Sequence, residues 1–245
     1  MQLKIFKEMI NRTLFCATNQ IIYPLHAKWE GGEVLLEKSE GKLVMAASNN
    51  RGLGFISKDA GDEIPDFEKI IVSAAILRKI RRKRGTDSLS ITVSGKEAHF
   101  HIGTASFSTH LIPGEYVRFY REPEEISRNF PLSFTANRLS LLESLGMALV
   151  ATASSLSSVF FDLSPGVLNM KTGDEDCSAE VELPCDYTGE KIELAFNARF
   201  LTDIIEHIDT EQVTIRFHGR QLTVMIVPEP AQDYHYFLAQ RIKKG

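Results

Sequence analysis

The sequence predicts an α+β protein made of two tandem copies of one helix-and-strand unit, and three observations predict it. Residues 86–102 (TDSLSITVSGKEAHFHI) align without a gap on residues 210–226 (TEQVTIRFHGRQLTVMI) at an offset of 124, and a fixed-period match of this kind marks a repeated structural unit. The segment before each match also repeats, with Ser73 and Asn197 at the same offset as candidate helix N-caps. Charge divides the chain in the same place. Residues 1–123 carry 18 Lys and Arg against 14 Asp and Glu, and residues 124–245 carry 10 against 18, so a basic half (residues 1–123) precedes an acidic one (residues 124–245).

Each element follows from local chemistry. Residues 6–18 (FKEMINRTLFCAT) and 136–152 (ANRLSLLESLGMALVAT) have helical apolar spacing and open the two copies. Residues 32–48 (GEVLLEKSEGKLVMAAS) and 158–174 (SVFFDLSPGVLNMKTGD) alternate about Gly41 and Gly166, as paired strands do. In residues 70–85 (IIVSAAILRKIRRKRG) a strand runs into a helix with Ile76, Leu77 and Ile80 as its stripe. Residues 194–209 (LAFNARFLTDIIEHID) repeat that plan with Phe200, Leu201, Ile204 and Ile205. Ser and Asn suit the cap because their side-chain oxygens accept a free amide of the first helical turn. Leu89, Ile91 and Val93 match Val213, Ile215 and Phe217 on one strand face, and Gly95 and Gly219 each precede a basic residue at a hairpin turn. Residues 121–131 (REPEEISRNFP) read as an acidic, proline-bearing linker at the seam. Two helices with one apolar stripe each must lie on a sheet to bury it.

Composition excludes several classes. At 245 residues with 43% hydrophobic and 24% charged residues, the chain is ordinary for a globular protein and large enough for a real core. It has no apolar run of about 18 residues, so no membrane span is expected. The first residues lack the pattern of a secretory signal. Cys16, Cys177 and Cys185 are too few for a disulfide framework, so a reducing cytoplasm is expected.

Catalytic readings are weak. His99 and His101 share a strand face without a third ligand, and Cys177 and Cys185 lie eight apart with no nearby histidine. The GLG at 52–54 and SGK at 94–96 lack the spacing of phosphate-binding loops. Asp174, Glu175 and Asp176 read as a solvated hairpin tip. No enzyme, cofactor or metal is expected. The feature that stands out is cationic: Arg78, Lys79, Arg81, Arg82, Lys83 and Arg84 crowd seven positions with no acid among them, and Lys4, Lys7 and Arg12 lie on the first helix. Such a surface attracts phosphate without reading sequence. In the second half the helices carry mainly Arg138 and Arg199 beside Glu143, Asp203 and Glu206, so any nucleic-acid contact is expected to be lopsided.

Five segments carry a resemblance. Residues 191–217 (KIELAFNARFLTDIIEHIDTEQVTIRF), 6–20 (FKEMINRTLFCATNQ), 46–55 (AASNNRGLGF), 109–125 (THLIPGEYVRFYREPEE) and 233–242 (DYHYFLAQRI) resemble, in order and spacing, the middle and last domains of the bacterial DNA sliding clamp, the beta subunit of DNA polymerase III. The resemblance implies two tandem clamp domains, residues 1–123 and 124–245, with antiparallel sheets outside and two helices per domain on an inner face. It implies a processivity factor that closes as an oligomer around duplex DNA. The nine cations Lys4, Lys7, Arg12, Arg78, Lys79, Arg81, Arg82, Lys83 and Arg84 would then meet the DNA.

It also implies a pocket for short peptide motifs of the polymerase catalytic subunit, the clamp loader and repair proteins. Carried over by position, its wall is Leu25, Arg51, Val117, Arg121, Phe237, Leu238 and Ala239. Val117 stands where the family has proline, and Ala239 with Gln240 where it has Met-Pro, so an altered pocket shape is expected. The family's apolar subunit-interface pair falls near Ala151 and Thr152. The family's opening domain has no counterpart, which leaves a fragment, the expectation here, or a two-domain form that assembles from three copies. The rival reading is a clamp-derived interaction scaffold that neither closes a ring nor holds DNA.

Overall fold

The computed structural model describes residues 1–17, 32–49, 51–61, 64–85, 87–151, 158–173, 178–219 and 222–241. Leu25, Thr152, Asp174, Glu175, Asp176 and Cys177 lie outside the described residues. The chain divides into two compact units, Met1–Arg118 and Phe119–Gly245.

The first unit opens with α1 (Leu3–Thr13), extended by a 3₁₀ turn (Leu14–Cys16). Four antiparallel strands follow: β1 (Glu33–Ser39), β2 (Lys42–Ser48), β3 (Gly52–Asp59) and β4 (Phe67–Ser73), in the order β3-β2-β1-β4. After α2 (Ala74–Arg82) come β5 (Leu89–Ser94), β6 (Glu97–Ile102) and β7 (Ala105–His110), a three-stranded sheet in sequence order. The β1–β2 hairpin turns through Glu40 and Gly41 with φ of 52° and 77°, the two positive values a type I′ turn requires. On α1, Phe6, Met9 and Ile10 are buried, and the Phe6 ring meets Phe100 of β6 at 6.1 Å. Beyond β7, the Tyr116 hydroxyl donates to the carbonyls of Ala46 (3.1 Å) and Glu33 (3.3 Å), which ties the outgoing chain to the sheet. Burial holds its phenol well above the ordinary range.

The second unit begins with α3 (Pro123–Asn129), followed by β8 (Leu132–Asn137), α4 (Arg138–Ala151), β9 (Ser158–Ser164), β10 (Val167–Gly173), β11 (Ser178–Asp186) and β12 (Ile192–Asn197). It ends with α5 (Ala198–Glu206), β13 (Gln212–Phe217), β14 (Thr223–Glu229) and β15 (Tyr234–Ala239). Its eight strands form one run, β12-β9-β10-β11-β8-β13-β14-β15, antiparallel throughout. Phe134, Phe161, Phe196 and Phe217 form a buried chain of rings with centroids 5.2–6.4 Å apart.

The repeat is visible in the topology. In both units a helix precedes four strands, three forming a meander and the fourth returning beside the first, a second capped helix follows, and three more strands complete the plan. Ser73 Oγ accepts from the Ala75 amide at 3.2 Å, and Asn197 Oδ1 accepts from the Phe200 amide at 3.1 Å. In the second unit, β8 precedes the first helix and pairs with β13 over six residues, whereas the same pairing in the first unit is one bridge, Gln2 to Ser88. Residues 121–131 are not only a linker. Pro123 occupies the first helical turn of α3 with Glu124 and Glu125 beside it, where its missing N–H is no loss and acids complement the helix dipole. Phe130 then buries itself against Tyr120 and Phe237 at 5.6 and 6.0 Å. These contacts hold the segment to the second unit.

Candidate nucleic-acid interface

In the first unit, α2 exists because Ser73 caps it and Ala74, Ile76, Leu77 and Ile80 are buried. That burial fixes which side faces water. Ala75, Lys79, Arg81 and Arg82 are exposed, Arg78 and Lys83 are half-buried, and Arg84 is exposed just past the helix. Lys79 and Arg82, three residues apart, share one stripe. Basic side chains in the last turn also complement the negative end of the helix dipole. On α1, Lys4 is exposed, while Lys7 and Arg12 are half-buried.

Backbone bonds set the start of α1 against the end of α2. The Leu3 amide donates to the Asp87 carbonyl (3.1 Å), and the Leu89 amide donates to Met1 (2.8 Å). Lys7 Nζ donates to the carbonyl of Lys83, and Arg78 Nη2 donates to the carbonyl of Ala17 at 3.2 Å. The two helices therefore run alongside each other with opposed chain directions. Eight of the nine cations named from the sequence thus fall into two kinds, and the ninth, Arg12, is half-buried with a partner of its own. Lys4, Lys79, Arg81, Arg82, Lys83 and Arg84 have no side-chain partner among the described residues, whereas Lys7 and Arg78 are engaged between the helices.

The corresponding helices of the second unit are different in character. Arg138 Nε donates to the Thr210 carbonyl at 3.0 Å, and Arg199 has Asp203 as a near neighbour. Burial and the charge of Glu206 push the Asp203 carboxyl above the usual carboxylate range. The outer side of α4 exposes three apolar side chains, Leu139 at 57%, Met147 at 48% and Val150 at 87%, beside a single acid, Glu143. The charge asymmetry of the sequence is therefore an asymmetry of helix surfaces.

The residues assigned to a peptide pocket are placed as follows. Arg51 is half-buried at the entrance to β3, in a turn where Asn49 Oδ1 accepts from the amides of Arg51 (3.1 Å) and Gly52 (2.9 Å). Val117 is half-buried near the end of the first unit. In the second unit the Arg121 guanidinium lies over the Phe119 ring, 4.9 Å from its centroid. Phe237 and Leu238 of β15 are buried and Ala239 is exposed. Phe237 packs against Tyr120 (6.2 Å), Phe130 and, edge-on at 5.2 Å, the ring of His235. Sequence reasoning missed Tyr120, Phe130 and His235. The run Tyr234-His235-Tyr236-Phe237 was the available signal, since a strand without polar alternation is one covered on both faces and so needs packing partners on each. Burial lowers the His235 pKa to about 4.

The remaining chemistry-bearing residues are dispersed. Glu97 lies 3.7 Å from His99 and 3.3 Å from His110, on the exposed side of β6 and β7. Among the described residues, no group of three His, Cys, Asp or Glu is arranged to hold a metal. Burial raises the Cys185 thiol pKa. Among the described residues, no helix is long and apolar enough to cross a membrane.

Comparison with known proteins agrees with this architecture. Residues 127–241 match the family model described as DNA polymerase III beta subunit, C-terminal domain. The beta sliding clamp of Treponema pallidum is 25% identical over 235 residues, covering 91% of this chain and 60% of that protein. That of Caulobacter vibrioides is 24% identical over 239 residues, covering 94% and 62%. The chain thus spans about three fifths of the length of these curated relatives. The crystal structure of the DNA polymerase III subunit beta from Pseudomonas aeruginosa superimposes with a TM-score of 0.86 at 20% identity, covering 99% of this chain and 66% of that one. The DNA polymerase sliding clamp of Caulobacter crescentus does so with 0.82 at 20%, covering 99% and 64%. Residues 127–241 thus match the C-terminal domain of the DNA polymerase III beta subunit, and the chain as a whole shares the fold of the bacterial sliding clamps and resembles them in sequence.

Proposed function

We propose that this chain acts as a sliding-clamp processivity factor, holding duplex DNA without sequence preference and tethering a replicative polymerase to it. The observation that supports this most directly is that Lys4, Lys79, Arg81, Arg82 and Arg84, on or just after the two helices of the first unit, are exposed cations with no side-chain partner among the described residues. Phosphate neutralised by Lys and Arg releases counterions, and this term is indifferent to sequence. The chain's own part is mechanical: it binds and slides, and bond-making belongs to the partner. Encirclement requires an assembly of several clamp units, so the working form is an oligomer.

Tethering would use short apolar peptide motifs of the polymerase, the clamp loader and repair proteins. Within the second unit, the residues for this are the half-buried Arg121 and the exposed Ala239 at the end of β15, with Phe237 and Leu238 buried in the same strand. An apolar surface with one cationic anchor is the usual chemistry of such a site.

Topology separates the clamp from a mere basic surface. The chain is loaded on nicked circular duplex DNA with a clamp loader, and the DNA is then linearised. A clamp is retained on the circle at salt that dissolves ordinary electrostatic complexes, and it escapes from the linear form. Equal retention on both, or none on either, would overturn the reading in favour of a scaffold that does not encircle DNA.

A further inference from the structure

The nine cations of α1 and α2 are not equivalent. Lys7, on the first half of α1, donates to the carbonyl of Lys83, the residue that caps the C-terminal end of α2. Arg78, in the middle of α2, donates to the carbonyl of Ala17, which caps the 3₁₀ turn ending α1. Each helix thus supplies a cation to the C-terminal carbonyls of the other. Those carbonyls lack an intrahelical partner, and they sit at the negative end of the helix dipole, where a cation is favoured. The bonds span 76 and 61 residues of sequence, so they join elements that no local interaction would hold in register. Both side chains are half-buried.

We propose that Lys7 and Arg78 are positioning residues, a reciprocal pair of caps that holds α1 against α2 so that Lys4, Lys79, Arg81, Arg82 and Arg84 present one phosphate-binding surface. This rests on the DNA-holding function proposed above and, of its nine cations, assigns two that organise and five that touch. Lys4 stands one turn before Lys7 on the same side of α1. The backbone bonds from Leu3 to Asp87 and from Leu89 to Met1 bring that turn beside the segment that follows Arg84. The surface is therefore built from both helices, and it depends on their register.

Salt dependence distinguishes the two roles. Binding of the full chain to a short linear duplex is measured over a series of NaCl concentrations, with amide hydrogen exchange across α2 read on the same proteins. Each lost phosphate contact lowers the slope of log K against log salt by about 0.9. Arg81→Gln and Arg82→Gln are expected to flatten the slope by that amount and leave exchange in α2 unchanged. Lys7→Met and Arg78→Met are expected to weaken binding at every salt concentration, keep the wild-type slope, and speed exchange in the last turn of α2. Lys7→Arg retains a donor and should restore slow exchange.

A slope that flattens by about 0.9 in Lys7→Met or Arg78→Met, with exchange unaltered, overturns the proposal and makes them phosphate contacts. If the methionine variants do not fold, Lys7→Gln and Arg78→Gln are read instead. A wild-type slope with faster exchange in the last turn of α2 supports the assignment, and a slope flattened by about 0.9 with exchange unaltered overturns it. A wild-type chain whose binding does not respond to salt removes the DNA-holding function itself, an outcome separate from either of these.

Discussion

Gly54 of β3 lies so close to Cys16 that a Cβ on Gly54 would stand 3.2 Å from the Cys16 Sγ, with the Arg12 carbonyl at 3.2 Å and the Thr13 Cα at 3.3 Å. Two of the three neighbours are backbone atoms of the end of α1, which cannot rotate away. The glycine in the GLG sequence thus serves close approach of helix to strand. Gly54→Ala is expected to destabilise the first unit by about 1–3 kcal/mol, the usual cost of overpacking, read as a lower urea midpoint. Gly146 in α4 is its opposite. Nothing lies within 4 Å of a Cβ built there and its φ is not positive, so Gly146→Ala should stabilise by about 1 kcal/mol from helix propensity. Equal effects at the two sites would show that the approach of α1 to β3 is looser than the distances say.

The paired caps allow a comparison inside one chain. Ser73 and Asn197 hold equivalent places at the heads of α2 and α5 and accept from first-turn amides at 3.2 and 3.1 Å. Alanine at either position should cost about 1 kcal/mol, and Ser73→Asn should be nearly neutral because either side chain can cap a free amide of the first turn, Ser73 that of Ala75 two residues on and Asn197 that of Phe200 three residues on. Thermal unfolding of the three variants checks this. A loss well above 2 kcal/mol at Asn197, which is only 5% exposed, would mean that its other polar atoms matter beyond capping.

Much of the fold was readable because it depends on neighbours in sequence. Alternation placed the hairpins at Gly41, Gly95 and Gly166, and the caps at Ser73 and Asn197 marked where α2 and α5 begin. The helix α3 was hidden because proline and acidic residues are signals shared by linkers and by helix N-termini. The aromatic anchor at Phe130, which only the tertiary structure reveals, fixes it to the second unit. The cationic run on α2 was legible as charge. The engagement of Arg78 with Ala17 was not, since it joins residues 61 apart. Likewise Phe237 was named as pocket wall from its position, while its packing on Tyr120 and Phe130 follows from a contact more than a hundred residues away in the chain.

His235 makes the second unit sensitive to acid. Buried beside Phe237, its imidazole has a pKa of about 4 instead of the ordinary 6.5, chiefly through desolvation, partly offset by a hydrogen bond to the Tyr120 backbone. Between those two values the unfolded chain binds a proton that the folded chain refuses. The contribution of His235 is therefore full above about pH 6.5, falls as the solution is acidified, and is gone below about pH 4. A shift of this size corresponds to about 3 kcal/mol. Carboxylates titrate in the same range, so the measurement is the difference between wild type and His235→Asn in urea unfolding at pH 7 and pH 4.5. The gap should narrow by about 2 kcal/mol or more at the lower pH; a constant gap would mean that the ring is hydrated.

The outer side of α4, cation-free at its exposed positions, gives a gain-of-function test of whether the second unit faces DNA. Met147 is 48% exposed and lies one turn beyond Glu143 on the same side of the helix. If the helices of both units line the DNA, Met147→Arg adds a cation where phosphate passes. Affinity for duplex should then rise, with the salt slope steepening by about 0.9 for each new contact. Arg138→Gln should leave the slope unchanged, because its guanidinium already serves the Thr210 carbonyl at 3.0 Å. An unchanged slope in Met147→Arg, with Arg81→Gln still flattening it, would confine DNA contact to the first unit and leave the outer side of α4 to a different partner.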